Sequence, residues 1–235
     1  MSDQPTPAPE TPAPIVHLYV LLDRSGSMAA TADDVISGFN QLLAEQQAAG
    51  PDALITLVQF DSQDPAEVVA EAIPILEMTA LDAATFQPRG ATPLLDATGL
   101  LLTRAAARAQ LLAANGVPAE DVVVVSITDG HDNASSELSL AQVRAMVEDR
   151  IAAGWTFVFL GAALDVYGEA GDLGYDTRST QAFDASPVGT REAFSSLSHA
   201  TRKHREKVRR GDRFDKGDFF EGDKAAEDHR RRDAS

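Results

Sequence analysis

A chain of 235 residues that is 44% hydrophobic can bury the core of one large α/β domain and still carry tails. The absence of cysteine excludes disulfides, thiolate metal centres and cysteine nucleophiles. The net charge of −16 is uneven: residues 202–235 hold 12 Lys and Arg against 9 Asp and Glu, and the 201 residues before them hold 8 against 27. So acidic a body repels phosphate backbones, which argues against nucleic acid and suits a divalent cation or a basic partner.

Residues 1–14 contain five of the twelve prolines and read as an extended, solvated tether. Ile15–Leu22 is an unbroken apolar run, the pattern of a strand buried on both faces. Asp33–Ala49 has helical spacing through Val35, Ile36, Phe39, Leu42 and Leu43. Ala53–Phe60 is rich in β-formers, and Val68–Leu76 is expected to pair with it as a hairpin or edge strand. Leu94–Ala114 is a long helix closed by Asn115-Gly116. Asp121–Thr128 and Trp155–Leu160 are two more buried strands, with a helix over Leu138–Ala153 between them. A short helix over Asp165–Leu173, a short strand over 180–184 and an amphipathic helix over Thr190–Arg209 complete the domain, which spans residues 15–209. Residues 210–235 are charged and read as a disordered tail, in which Phe214, Phe219 and Phe220 stand out. Helices alternating with buried strands give a doubly wound, mostly parallel sheet of about six strands with helices on both faces. Sites in such folds form at the carboxyl ends of strands.

Three segments place oxygen donors at that edge. Asp23, Ser25 and Ser27 follow the first strand at spacings of two, so in an extended segment their side chains share one side, and Gly26 eases the bend. Asp129-Gly130 follows the central strand 121–128, and Thr92 stands where a loop enters the helix from Leu94. Each has an ordinary use alone: Asp23 or Ser25 as a helix cap, Thr92-Pro93 as an N-cap with proline behind it, Asp129-Gly130 as a turn. Together they offer two carboxylates and three hydroxyls and no sulfur, a set suited to Mg²⁺ or Mn²⁺ with a position left for a partner's carboxylate. Around them, His131, Asp132 and Asn133 either line the rim or form a polar loop. Arg24 points away from the cluster, toward the rim or a carboxylate. Asp61 and Asp64 read as solvated loop residues. Asp96 is either a second layer behind the site or favourable charge at a helix start.

The pattern Asp-x-Ser-x-Ser, then Thr92, then Asp129 in Thr128-Asp129-Gly130, resembles the metal-ion-dependent adhesion site of von Willebrand factor A domains. The run Leu21–Met28 is highly characteristic of that motif, Gly90–Ala97 is similar to the corresponding stretch of stand-alone intracellular bacterial members, and the resemblance covers about residues 15–205. It implies that Ser25 and Ser27 bind the metal directly, Thr92 directly or through water, and Asp23 and Asp129 often through water.

The expected function is therefore a metal-dependent protein-binding module, an adaptor or scaffold, and not an enzyme. A role as accessory subunit of an ATPase-chaperone, chelatase or tellurite- and stress-resistance complex is a special case of it. A metal-dependent phosphohydrolase is disfavoured, because the residue two after Asp23 is Ser25 where a second carboxylate would stand; phosphate-loop, dinucleotide and nucleophile-elbow signatures are also missing. No apolar run reaches the roughly 20 residues of a membrane helix, and Met1–Pro14 does not read as a secretory signal, so the expected location is the cytoplasm.

Overall fold

A computed structural model describes residues 13–224. It contains six strands: β1 (Val16–Asp23), β2 (Ala53–Phe60), β3 (Glu67–Pro74), β4 (Asp121–Thr128), β5 (Thr156–Gly161) and β6 (Thr180–Ala182). Five helices accompany them: α1 (Ala32–Ala48), α2 (Leu94–Ala114), α3 (Leu140–Ala152), α4 (Val166–Asp172) and α5 (Pro187–Arg210). The sheet order is β3-β2-β1-β4-β5-β6. All neighbours are parallel except β3, which runs antiparallel to β2 at the edge. The doubly wound, mostly parallel α/β sheet expected from the alternation is the fold observed.

Alternation along β1 divides the core. Val16, Leu18, Val20 and Leu22 face one apolar cluster, which holds Phe39 and Leu43 of α1 and Phe194 and Leu197 of α5. Tyr19 and Leu21 face the other, with Leu101 of α2, Val143 and Val147 of α3 and Val166 of α4. Two-sided burial is why β1 and β4 read as continuous apolar runs. Gly38 lets α1 and α5 meet: a Cβ there would lie 2.4 Å from the Phe194 ring.

Local chemistry moves several boundaries. Helix α3 starts at Leu140 because Ser139 and Gln142 form a reciprocal capping box. Helix α5 starts at Pro187, three residues before the apolar pattern does, because Ser186 accepts the Gly189 N–H and Pro187 fits the first turn. It ends where Gly211 takes a left-handed φ of 68°. Residues 75–93 are mostly irregular, yet Ile75, Met78, Leu81 and Phe86 are buried in the α1 side of the core. Asn40 fastens this stretch to α1 by bonding both the N–H and the carbonyl of Leu81, each at 2.8 Å.

The expectation of a disordered tail from residue 210 is corrected for residues 211–224. Phe219 and Phe220 are buried in the core, and Phe214 packs against it. His204 of α5 lies between Phe214 and Phe219 and meets Asp121 at 2.6 Å, and Lys216 pairs with the same carboxylate. Composition hid this because three aromatics among charges supply enough apolar area to hold a short segment on an existing core. The expected tether, residues 1–14, and the end of the tail lie outside the described residues except for Ala13, Pro14 and 210–224.

At the opposite edge from the carboxyl ends, Glu120 receives Arg108 at 2.6 Å and His17 at 2.8 Å. Although burial pushes the Glu120 carboxyl up, the bonds from His17 and Arg108 hold it at about 2. Burial lowers the His17 ring from its ordinary value, against the opposing pull of Glu120.

Two measurements check this account. Phe220→Ala is expected to cost about 3–5 kcal/mol in urea denaturation, as for a fully buried phenylalanine; no change would mean the segment after α5 is detached. Glu120 has a depressed folded pKa, so its stabilisation is present above 4.5 and is lost as pH falls from 4.5 toward 2. Glu120→Gln is expected to lower stability at neutral pH and to flatten the acid limb of stability against pH over that window.

Candidate metal-binding site

The sheet order reverses between β1 and β4: β2 and β3 extend to one side, β5 and β6 to the other. Their carboxyl ends therefore flank the switch point, where the two departing loops diverge and leave a crevice. Asp23 is the last residue of β1, and Asp129 follows the last residue of β4.

Asp23 is fully buried. Its Oδ1 accepts the Ser25 N–H at 2.6 Å and its Oδ2 accepts the Thr128 hydroxyl at 2.6 Å. Ser25 Oγ lies 3.0 Å from Ser27 Oγ, and Ser27 Oγ donates to Asp129 Oδ1 at 2.6 Å. The Gly26 N–H donates to the Gly90 carbonyl at 3.0 Å, which clamps the Asp23–Ser27 loop to the loop carrying Thr92. Gly90 adopts φ 67°, and a Cβ there would meet Ser62 Oγ at 2.6 Å, so this contact requires glycine. Thr92 is bound to the loop after β4 by reciprocal bonds: its N–H donates to Asn133 Oδ1 at 2.8 Å, and its carbonyl accepts the Asn133 N–H at 3.0 Å. A Cβ on Gly130 would lie 3.7 Å from Thr92 Oγ1. The structure thus brings Asp23, Ser25, Ser27, Thr92 and Asp129 to one place, with Ser27 and Asp129 toward solvent and Asp23 behind them.

Thr92 is not a helix cap. The N-cap position of α2 is Pro93, with no side-chain cap. The first free N–H groups of α2 are taken from across the crevice: Leu95 donates to Asp132 Oδ1 at 3.2 Å and Asp96 to Ser135 Oγ at 3.0 Å. In return, Asp96 accepts the N–H groups of Ser136 and Leu138, each at 2.8 Å. This settles the role of Asp96: it shapes the loop that carries Asp129.

Arg24 does turn away, onto a carboxylate. Asp61, read from sequence as solvated, is fully buried, a correction. It accepts Arg24 Nη2 at 2.7 Å and Nε at 2.9 Å, and Arg89 Nε at 2.9 Å. Against the upward push of burial, the Gln63 N–H and the Arg89 and Arg24 guanidinium groups hold Asp61 below the usual carboxylate range. Its position after β2, beside the first residue past β1, was the available signal. Asp64 stays partly exposed and accepts the Ala66 N–H at 3.1 Å. Thr128 was also missed, although it stands next to Asp129 on the strand end.

Asp23 is the electrostatic opposite of Asp61. Burial pushes its carboxyl up to about 6, offset in part by bonds from Thr128 and Ser25 and reinforced by the charge of Asp129. Burial also raises Asp129. Among the described residues Asp23 forms no ion pair, and the groups that act most on it carry no positive charge. Two carboxylates and three hydroxyls that lack a positive partner fit a hard divalent cation. Among the described residues no three His, Cys, Asp or Glu side chains are grouped to hold a metal, as expected for a set in which hydroxyls outnumber carboxylates.

The sequence matches no family model and no curated protein. Solved structures do match. The VWA domain of SpRpn10 superposes with a TM-score of 0.50 at 12% identity, over 78% of this chain and 95% of that one. The fold is of the von Willebrand factor A type. The pilus adhesin SpaC from Lactobacillus rhamnosus GG, in its open conformation, gives 0.60 at 14% identity over 84% of this chain. Proximal thread matrix protein 1 from the mussel byssus gives 0.54 at 13% over 80%. This chain spans only 31% of the adhesin and 48% of the byssus protein. Among the described residues no helix is long and apolar enough to cross a membrane.

The Arg24–Asp61 pair gives a direct check. Arg24→Met leaves a buried carboxylate with Arg89 as its main cation, and is expected to cost about 3 kcal/mol, the low end for a broken buried pair. Chemical denaturation measures it; a cost near zero would show that Arg89 alone suffices.

Proposed function

We propose that this von Willebrand factor A-type domain is a non-catalytic protein-binding module, an adaptor or scaffold, that holds Mg²⁺ or Mn²⁺ through Asp23, Ser25, Ser27, Thr92 and Asp129. The metal would supply an electrophilic position for a carboxylate of a partner protein. The observation that carries this reading is the buried, uncompensated Asp23 carboxylate, linked to Asp129 through the Ser25 and Ser27 hydroxyls at the switch point of the sheet. The protein's own residues do three things there. Asp23 fixes the loop backbone through the Ser25 N–H and keeps negative charge beneath the hydroxyls. Thr128 holds the Asp23 carboxylate in place. The Asn133 bonds keep Thr92 against the β4 loop.

Removal of one negative charge from an uncompensated pair should not unfold the domain. Asp23→Asn is therefore expected to keep or raise the metal-free melting temperature. Wild-type protein should gain about 2.7 kcal/mol when Mg²⁺ or Mn²⁺ stands a hundredfold above its dissociation constant, and the variant should gain nothing. In native lysate, partner capture should require the metal, disappear in EDTA and be lost in the variant. Equal melting with and without metal, or equal capture by both proteins in EDTA, would refute the proposal.

A further inference from the structure

Residues 97–119 are the longest run of this acidic chain without an Asp or Glu. They form most of α2 and the turn that follows it. The two cations of the run are paired within the chain: Arg104 Nη1 meets Glu71 at 2.7 Å, and Arg108 Nη2 meets Glu120 at 2.6 Å. The outward face of α2 is therefore electrically balanced. It is also apolar in part, with Leu100 45% exposed, Leu111 62% exposed and an exposed Ala107 between them. Between this helix and the edge strand β3 runs a groove of about 810 Å³. Val58 and Leu101 line it, and the small side chains of Ala66 and Ala72 keep it wide on the β3 side.

Leu100, Arg104, Ala107 and Leu111 follow one another at spacings of four, three and four, the spacing of a seam between two helices. The set is symmetric about the midpoint between residues 105 and 106. A second α2 laid antiparallel brings Leu100 against Leu111 of the second copy. It also brings Arg104 over Ala107 of the second copy, a long side chain against a small one. A parallel pair would instead stack like charges at Arg104. We propose that the outer face of α2, with the groove beside it, is the interface of a two-fold homodimer. Such an interface needs a patch that complements itself, and this one does so in shape and in charge. Two bodies of strong negative charge repel one another over most surfaces, and an acid-free helix whose cations are already paired brings them together with little repulsion. Helix α2 starts beside Thr92, at the carboxyl edge of the sheet. The antiparallel pair sets the two helix starts about 35 Å apart along the helix axis, at 1.5 Å per residue. On the metal-dependent reading above, the dimer is a scaffold with a partner site at each end; the dimer itself does not rest on that reading.

The test is sedimentation equilibrium of the full chain, in EDTA so that the metal position plays no part. A monomer–dimer equilibrium is expected. It should tighten as salt is raised, because salt screens the repulsion between the bodies and leaves apolar contact intact. Leu100→Glu and Leu111→Glu alter exposed side chains, so each should keep the melting temperature. Each should weaken the dimer about thirtyfold or more, the scale of one lost interface anchor. Leu164→Glu, at a leucine 96% exposed on the carboxyl edge, should leave the dimer unchanged. Cross-linking reads the register, since the chain has no cysteine of its own. The double variant Leu100→Cys with Leu111→Cys should form a covalent dimer under mild oxidation. Leu100→Cys alone should not, because the two copies of position 100 lie about 16 Å apart along an antiparallel pair. A monomer at every concentration, a dimer that weakens with salt, a dimer that survives both glutamate substitutions, or an equal cross-link through Leu100→Cys alone would overturn the inference. A dimer formed by protein that gains no stability from Mg²⁺ or Mn²⁺ would refute the metal site and uphold the interface.

Discussion

The strand-order reversal between β1 and β4 is the constraint from which the site follows. β1 lies at the centre of the sheet, between β2 and β4, and every one of its residues is buried. A parallel sheet forces each chain to leave at the carboxyl edge and return by a helix. Where order reverses, the two exits turn to opposite faces of the sheet. The β1 exit leads to α1 on one face, and the β4 exit leads to α3 on the other. Nothing from the sheet covers the gap between them. The polar groups that end up there belong to loops, and they must bind one another or a ligand.

Two buried aspartates at this edge show how different the outcomes can be. Asp23 and Asp61 are both fully buried, and they stand one residue out of register across the β1–β2 pair. Asp61 has two guanidinium groups and backbone N–H donors, so its charge is satisfied within the fold. Asp23 has a hydroxyl and one N–H, and its neighbouring charge is another carboxylate. The alternation of side chains along the loop produces the difference: Arg24, between Asp23 and Ser25, points to the opposite side and serves Asp61. One short string thus supplies both the charge that structure consumes and the charge that structure leaves over.

The parts of this that could be read from sequence are those fixed by local pattern. Apolar runs located β1, β4 and β5 because two-sided burial leaves no alternation to misread. The spacing of Asp23, Ser25 and Ser27 gave their common side, and the ends of β1 and β4 gave the meeting place of Asp23 and Asp129. What local pattern could not give were contacts that depend on distant backbone. The roles of Asp61 and Asp96 depend on Arg24 and on loop 136–138, which lie 37 and at least 40 residues away. Residues 211–224 were misjudged for a related reason. Their charge density says nothing about the apolar cluster of α1 and α5 in which Phe219 and Phe220 are buried.

The loop after β4 joins these observations. Its Asp129 faces the hydroxyl cluster, its Asn133 holds Thr92, its Asp132 and Ser135 satisfy the start of α2, and Asp96 holds its far end. Those bonds run in both directions between the loop and α2, so neither can shift alone without breaking partly buried hydrogen bonds. His131, between Asp129 and Asp132, reaches across to Glu169 of α4 at 3.4 Å. The same loop therefore sets the Asp129 carboxylate against Ser27 on one side and reaches α4 through His131 on the other.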